Sequence, residues 1–390
     1  MNLQNATRLK TACTMGMDPD GREHLVAVAK GAFELPRDGS EATLSEEQVE
    51  PTMADEFVGE PGLSAVLRES DFAPTKARCD LLFSGCAYAP GGRAVPLVRV
   101  ALEVVGAMKK VLDVHGRRVW AHGLGAVASR ALPFDRMPFD YGTAFGGIDR
   151  HPEKTGQVDV YYLNPVGVGY HPLSKGRHLD GKPLPATSAV DEKIDSPKGA
   201  YRPMALGPIG RNFAERVKLA GTYDDQWLDK TFPFLPKDFK PAYYQAAPPD
   251  QQIHFPRGGE TIVLHHLTPE GRLTFRLPTM QVPILFAREK YGDVQSSMTI
   301  DTIAIDGEAR KVYLTWRASL PLRKNLFEVG LVIVGTPTRG WARARRTGKQ
   351  HYRSLGAYTR AKAADGALAQ PVDPEVEQQL GSEDVEDEAS

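Results

Sequence analysis

Cysteine is scarce in this chain, and so are the signatures that would name a chemistry. Its three cysteines, Cys13, Cys79 and Cys86, are too few, and odd in number, for a disulfide framework. Cys79 and Cys86 match no zinc spacing. Seven apart in one expected strand, they would point to opposite faces and read as buried structural thiols. An excess of one charge is also missing: 49 acids against 48 bases leave a formal charge of −1, not the basic surplus of a nucleic-acid binder. No apolar run approaches the ~18 residues that cross a bilayer. The opening "MNLQNATRLKTAC" has no signal-peptide core. These absences predict a cytoplasmic protein with neither membrane nor nucleic acid as partner. H-E-x-x-H, G-x-S-x-G and Cys/His nucleophile patterns are absent too. No metal or cofactor site is indicated, and the chain is expected not to be an enzyme.

Glycine and proline, by contrast, are plentiful: 37 and 30 residues, the usage of short strands joined by many turns. Strand patterns dominate both ends. "REHLVAVAKGAFEL" (22–35) is apolar on both faces, as for a strand covered on both sides. "CDLLFSGCAYAP" (79–90) runs into the turn "PGG", which is expected to open a hairpin. "LVRVALEVVG" (97–106) and "MKKVLDVHGRRVW" (108–120) read as consecutive strands. "ETIVLHHL" and "RLTFRLP" flank "TPEG", a hairpin by composition. In "KVYLTWRASL" (311–320) Val312, Leu314, Trp316, Ala318 and Leu320 alternate with Lys311, Tyr313, Thr315, Arg317 and Ser319. That period of two predicts one dry face and one wet face. "FEVGLVIVG" (327–335) supplies a further strand.

Between about 130 and 258 the periodicity fades while Pro, Gly, Asp and aromatics accumulate. The segment is too aromatic for disorder, so ordered loops anchored by aromatics are expected, with short helices only within 210–232. The fold class is therefore mainly β: a β-sandwich-like core built from N- and C-terminal strands, with long ordered loop insertions and a few short helices. The domain spans 1–335, with separate N- and C-terminal β domains as the alternative. A basic segment follows at 336–370, then an acidic tail at 371–390, expected to be disordered. The basic run carries Arg339, Arg343, Arg345, Arg346, Lys349 and Arg353 without an acid. Its candidate partner-binding residues are Trp341, Arg343, Arg345, Arg346 and Tyr352, cations with aromatic anchors of the kind that bind a partner protein.

The densest stretch is "LPFDRMPFDYGTAFGGIDRHP", Leu132 to Pro152. Its Gly142, Gly146 and Gly147 fit neither the P-loop nor the dinucleotide pattern. Asp135, Asp140 and Asp149 could supply paired carboxylates of the kind a glycosidase uses, but aspartates beside Pro-Phe and Gly more simply cap turns. Phe134, Phe139, Tyr141 and Phe145 would then pin a sharply turning path. His265 and His266, adjacent in an expected strand, face opposite sides and cannot share a metal. His171 and His178 lie near only Asp180, and the sequence names no third ligand.

The order of motifs carries more than any one of them. "ESDFAPTKARCDLLFSGCAYAPGG", "GRRVW", "MPFDYGTAFGG", "NPVGVGY", "GPIGRNFAERVKLAGTYDDQWLDKTFPFLPKDF", "APPDQQ", "RGGE" and "LTWRA" follow one another from about residue 5 to 335. This succession resembles the bacterial domain-of-unknown-function 2169 family. The chain departs from the family where Asn212-Phe213 stands near a usual Trp, and it has no pentapeptide repeats. The resemblance implies a type VI secretion accessory protein, an adaptor or chaperone. Such a protein would hold a secreted effector, often PAAR-like, and help load it onto the VgrG spike. It implies no catalytic residue. The alternatives are a hydrolase of glycans or peptides using Asp140 or Asp149, and a structural component of the secretion baseplate.

Overall fold

Strands from opposite ends of the chain lie side by side. In the computed structural model, which describes residues 1–123, 125–349, 356 and 359–363, Glu23–Glu34 pairs antiparallel with Lys311–Pro321, from Lys311 opposite Glu34 to Pro321 opposite His24. They form the centre of a seven-stranded sheet ordered Gln252–Ile253, Cys79–Ser84, Thr299–Asp306, Lys311–Pro321, Glu23–Glu34 and Lys10–Met17, with Thr43–Leu44 added to Glu23–Glu34. A five-stranded sheet runs Thr187–Ser188, Met108–His115, Leu97–Val104, Thr261–His265, Arg272–Arg276. A four-stranded sheet runs Asn2–Asn5, Val329–Val334, Pro283–Arg288, Val294–Ser297. The fold is mainly β with a few short helices, and the chain divides into two compact units, Met1–Thr336 and Pro337–Ser390. No helix among the described residues is long and apolar enough to cross a membrane.

The three sheets share one core. Leu25, Ala27, Ala29 and Phe33 from the large sheet meet Val100, Leu102, Leu264 and Phe275 from the second, and Ile284, Phe286, Val332 and Val334 from the third. Period-two alternation puts these residues on single faces. Burying each large side chain contributes about 1.5–3 kcal/mol against leaving it exposed.

Two expectations fail here for the same reason, a distant segment that covers what local pattern leaves open. The polar face of Lys311–Pro321 is not wet in its middle, because Thr315 and Arg317 are buried. Residues 45–76 lay Asp71 against Thr315 on this face, and Gln48 and Thr52 against Ala32 and Lys30 of the neighbouring strand Glu23–Glu34. The same segment holds the buried Lys30 of that strand through Thr52 and Asp71. The "PGG" turn opens no hairpin. It forms a single 3-10 turn, Pro90–Gly92, and Cys86–Tyr88 pairs with Arg136–Pro138 instead. Cys79 and Cys86 are consequently not in one strand, for Gly85, at φ +148°, breaks the run between them. His266 has likewise left its strand, with φ +53° beyond the end of Thr261–His265.

The Leu132–Pro152 stretch ties clusters together. Phe134 and Phe139 enter the principal core, with Phe139 stacked on Phe83 at 6.3 Å. Tyr141 meets Phe213 edge-on at 5.4 Å. Phe145 is the centre of a further cluster, edge-on to Tyr161 at 5.0 Å and Tyr201 at 4.9 Å. Not every aromatic of the middle region is an anchor, however. Tyr223, Phe232 and Phe234 face outward.

Candidate functional site

The cover on the large sheet rests on a buried ion network. Lys30 Nζ donates to Asp71 Oδ2 at 2.7 Å and to Thr52 Oγ1 at 2.8 Å. Asp71 also accepts from the Thr52 amide at 2.7 Å and from Thr315 Oγ1 at 2.9 Å. Arg317 pairs with Asp301 and donates to the carbonyl oxygens of Asp71 and Ala73. Nearby, Lys76 Nζ donates to Asp80 Oδ2 at 2.7 Å and to Thr302 Oγ1 at 2.9 Å. Asp80 in turn accepts from Gln245 and the Ala246 amide. Burial opposes the charge on Asp71, yet the Lys30 ammonium and the hydrogen bonds outweigh it and hold its carboxyl below the usual range. For Lys76, burial opposes the charge and the Asp80 and Asp301 carboxylates outweigh it, so its ammonium is held above the usual range. Above the network lies a cavity of about 200 Å³, lined among others by Thr52, Leu67, Arg68, Tyr313 and Thr315.

Outside this base, large apolar side chains are left in water. Met53, Val58, Leu63 and Leu67 are exposed in the covering segment, Met53 at 74 %. Val217, Tyr223, Leu228, Phe232 and Phe234 are exposed in a second, Phe232 at 62 %. Tyr223, Trp227 and Phe232 pack ring against ring at 4.8 and 5.7 Å, so this projection is ordered by its own aromatics. Asp224 caps the helix Asp225–Lys230 by accepting from the Trp227 amide at 2.8 Å. Charged contacts fasten the base of the second segment to the first. Arg211 reaches Asp55 at 3.0 Å and Glu69 at 3.2 Å. The buried Arg216 grips both oxygens of Glu69, at 2.6 and 2.9 Å.

The sequence-predicted residues are dispersed by comparison. Trp341, Arg343, Arg345 and Arg346 share the helix Arg339–Arg346, capped by Thr338, whose Oγ1 accepts from the Trp341 amide at 3.2 Å. Trp341 is half-buried and the three arginines are exposed. Their place in the last turn suits the negative end of the helix dipole. Tyr352 and the acidic tail 371–390 lie outside the described residues.

Asp140 caps a turn by accepting from the Thr143 amide at 3.0 Å, and burial pushes its carboxyl above the usual range. Asp135 accepts from the next amide. Asp149 is buried and accepts from the Leu173 and Ser174 amides, Ser174 Oγ and Lys182. Burial raises its pKa, and these donors outweigh burial to hold it low. His171 lies 3.4 Å from Asp149, and His178 pairs with Glu153. Among the described residues, no group of three His, Cys, Asp or Glu is placed to hold a metal.

The thiols are free. Burial pushes Cys13 up to about 12 and Cys86 up to about 11, with Glu308 adding to the rise at Cys86. Because the thiolate is the reactive form, Ellman's reagent at pH 8 is expected to label the folded chain slowly. All three cysteines should react quickly in guanidinium. Fast labelling of the folded chain would contradict this burial.

The residues that pattern reading passed over are those of the network. Their signal was present in the motifs themselves. Glu69, Asp71, Lys76 and Asp80 belong to "ESDFAPTKARCD", Arg211 and Arg216 to "GPIGRNFAER", and Arg317 to "LTWRA". Far apart in sequence, these motifs make contact as Asp71–Arg317 and Glu69–Arg216. A family model described as "Uncharacterized protein conserved in bacteria (DUF2169)" matches residues 20–317. The chain belongs to this family. No curated protein and no solved structure gives a significant match. The DUF2169 span begins just before Glu23–Glu34 and ends on Arg317, so it contains the whole network. The helix Arg339–Arg346 lies outside it.

Proposed function

We propose that the protein is an effector-binding adaptor or chaperone of a type VI secretion system. It holds a secreted effector, often one with a PAAR-like domain, and helps load it onto the VgrG spike. One observation carries the binding half of this reading: the two apolar segments, Met53 to Leu67 and Val217 to Phe234, fastened together by Arg211 and Arg216. Folded surfaces rarely leave many large apolar side chains adjacent unless a partner covers them. Aromatic side chains such as Tyr223 and Phe232 have few rotatable bonds and lose little entropy when a partner closes over them. The buried ion network beneath fixes the platform before binding, which lowers the ordering cost of association. The basic helix Arg339–Arg346 supplies a second contact, for an acidic segment of the same effector. The secretion context comes from the resemblance in motif order. The hydrolase alternative finds Asp140 already accepting the Thr143 amide of its own turn, and Asp149 the Leu173 amide of a loop 24 residues on.

Co-expression with effectors encoded beside the gene tests this reading. The full chain is expected to co-purify with one of them and to raise its soluble yield. A Val217→Ser, Leu228→Ser double variant is expected to weaken that recovery at least about tenfold, about 1.4 kcal/mol, with an unchanged Tm because both side chains are exposed and lie outside the ring stack of Tyr223, Trp227 and Phe232. Full recovery of the effector by the double variant, or no recovery by the parent chain, would sink the proposal.

A further inference from the structure

A second concavity, on the loop-rich side, is built differently from the first. It measures about 180 Å³ and is walled by Tyr141, Tyr161, Tyr201 and Phe213, with Lys110 and Arg202 also lining it. It opens beside Leu163, which is 43 % exposed. The hydroxyls of two wall residues point to other work. Tyr161 Oη donates to the Tyr201 carbonyl at 2.6 Å, and Tyr201 Oη donates to Asp195 Oδ1 at 2.8 Å. Their rings are left to form the walls. Tyr141 is only 3 % exposed, yet among the described residues its hydroxyl meets no hydrogen-bond partner, only the nearby charges of Asp250, Glu215 and Arg202. A hydroxyl that borders a cavity without a protein partner is free to donate to an occupant.

The polar end carries spare donors. Lys110 is buried, with Nζ 2.7 Å from Gln251 Oε1 and 3.2 Å from Asp250 Oδ1. An ammonium has three N–H groups, so one is left over. The other Asp250 oxygen accepts from Arg202 at 2.7 Å, so two cations share one carboxylate. Burial lowers Lys110 to about 8, with Asp250 opposing the fall and Arg202 adding to it. Glu215 places a carboxylate on the wall itself, whereas Asp250 stands behind Lys110 and Arg202.

We propose that this pocket binds a small aromatic carboxylate, its ring held among Tyr161, Tyr201 and Phe213 and its oxygens received by Tyr141 Oη and Lys110 Nζ. The size fits: a cavity of about 150 Å³ accepts a benzene ring, and the remainder accommodates a carboxylate. Edge-to-face contacts with aromatic walls favour a ring over an aliphatic chain of equal volume. The carboxylate supplies acceptors that the orphan hydroxyl and the spare ammonium hydrogen lack. The proposal stands independently of effector binding.

Titration of the full chain with benzoate, followed by calorimetry and by protein-observed NMR, tests it. Saturable binding is expected, with cyclohexanecarboxylate binding more weakly. Tyr141→Phe removes the hydroxyl and keeps the ring against Phe213, so it should weaken benzoate about tenfold, the loss of one hydrogen bond to a charged group. Its Tm should match the parent. A peptide ending in phenylalanine, beside its C-terminally amidated form, separates the two sources of this chemistry. Tighter binding of the free-acid peptide than of benzoate assigns the site to a chain terminus, and the reverse assigns it to a free aromatic acid. No saturable binding at millimolar benzoate overturns the proposal. So does equal affinity in Tyr141→Phe, or an amidated peptide that binds as tightly as benzoate does.

Discussion

Asp71→Ala is expected to lower the unfolding free energy by about 3–5 kcal/mol, the cost of removing one partner from a buried charge pair. The loss follows from what remains. Lys30 would keep a buried ammonium with only Thr52 Oγ1 as acceptor, and the Thr52 amide and Thr315 hydroxyl would lose theirs. Urea unfolding of the variant measures the change. A Lys30→Met, Asp71→Leu double variant is expected to recover the part due to the stranded Lys30 ammonium, since replacing both members of a buried pair by apolar groups is often neutral, while the Thr52 amide and Thr315 hydroxyl stay unpaired. If Asp71→Ala costs less than about 1 kcal/mol, the range of an exposed pair, the network does not hold the cover down. The pH dependence has a definite sign. The Asp71 carboxyl is depressed in the folded state, so its stabilisation is complete above the unfolded value of about 3.9 and fades as pH falls through the lower folded value. Asp71→Asn should remove that part of the acid sensitivity.

The second large effect is expected at Gly146. This residue has φ +149°, and a Cβ there would fall 2.1 Å from the carbonyl oxygen of Asn164. Neither side can yield. Asn164 is fully buried; its side chain donates to the Tyr141 and Phe145 carbonyls, at 2.8 and 3.1 Å. Its own carbonyl accepts from the Gly147 amide at 2.8 Å. Gly146→Ala should therefore cost more than about 4 kcal/mol, in the exceptional tail of single substitutions. Gly142→Ala, four residues earlier, meets only a side-chain oxygen of Asp140 at 3.1 Å and lacks the positive φ. It should cost about 1 kcal/mol or less. Equal thermal stability of the two variants would refute the close approach at Asn164.

The two sites show what pattern could and could not reveal. Alternation along Lys311–Leu320 identified the strand and sorted its faces, because side-chain direction is a local property. It could not show that Thr315 and Arg317 lie under Asp71, for nothing in a period of two records what a segment some 240 positions earlier will cover. The glycines of "TAFGGID" failed as a phosphate cradle and read only as part of a rigid, sharply turning path. Their role is steric and depends on Asn164, the first residue of "NPVGVGY", whose approach to Gly146 no local pattern records. The aromatics of 223–234 read as anchors by type, yet type does not decide direction. Tyr223 and Phe232 turn outward because Trp227 already fills the space between them.

The pairing of Glu23–Glu34 with Lys311–Pro321 also governs how the chain must leave the ribosome. An early, almost wholly apolar strand is synthesised roughly 290 residues before its central neighbour. At about 5–20 residues per second, that is on the order of 15–60 s with only the edge strands Lys10–Met17 and Thr43–Leu44 to pair with. Asn2–Asn5 waits as long for Val329–Val334. Folding of the first unit thus waits until Val329–Val334 has emerged, and until then the nascent chain is itself a client for cellular chaperones.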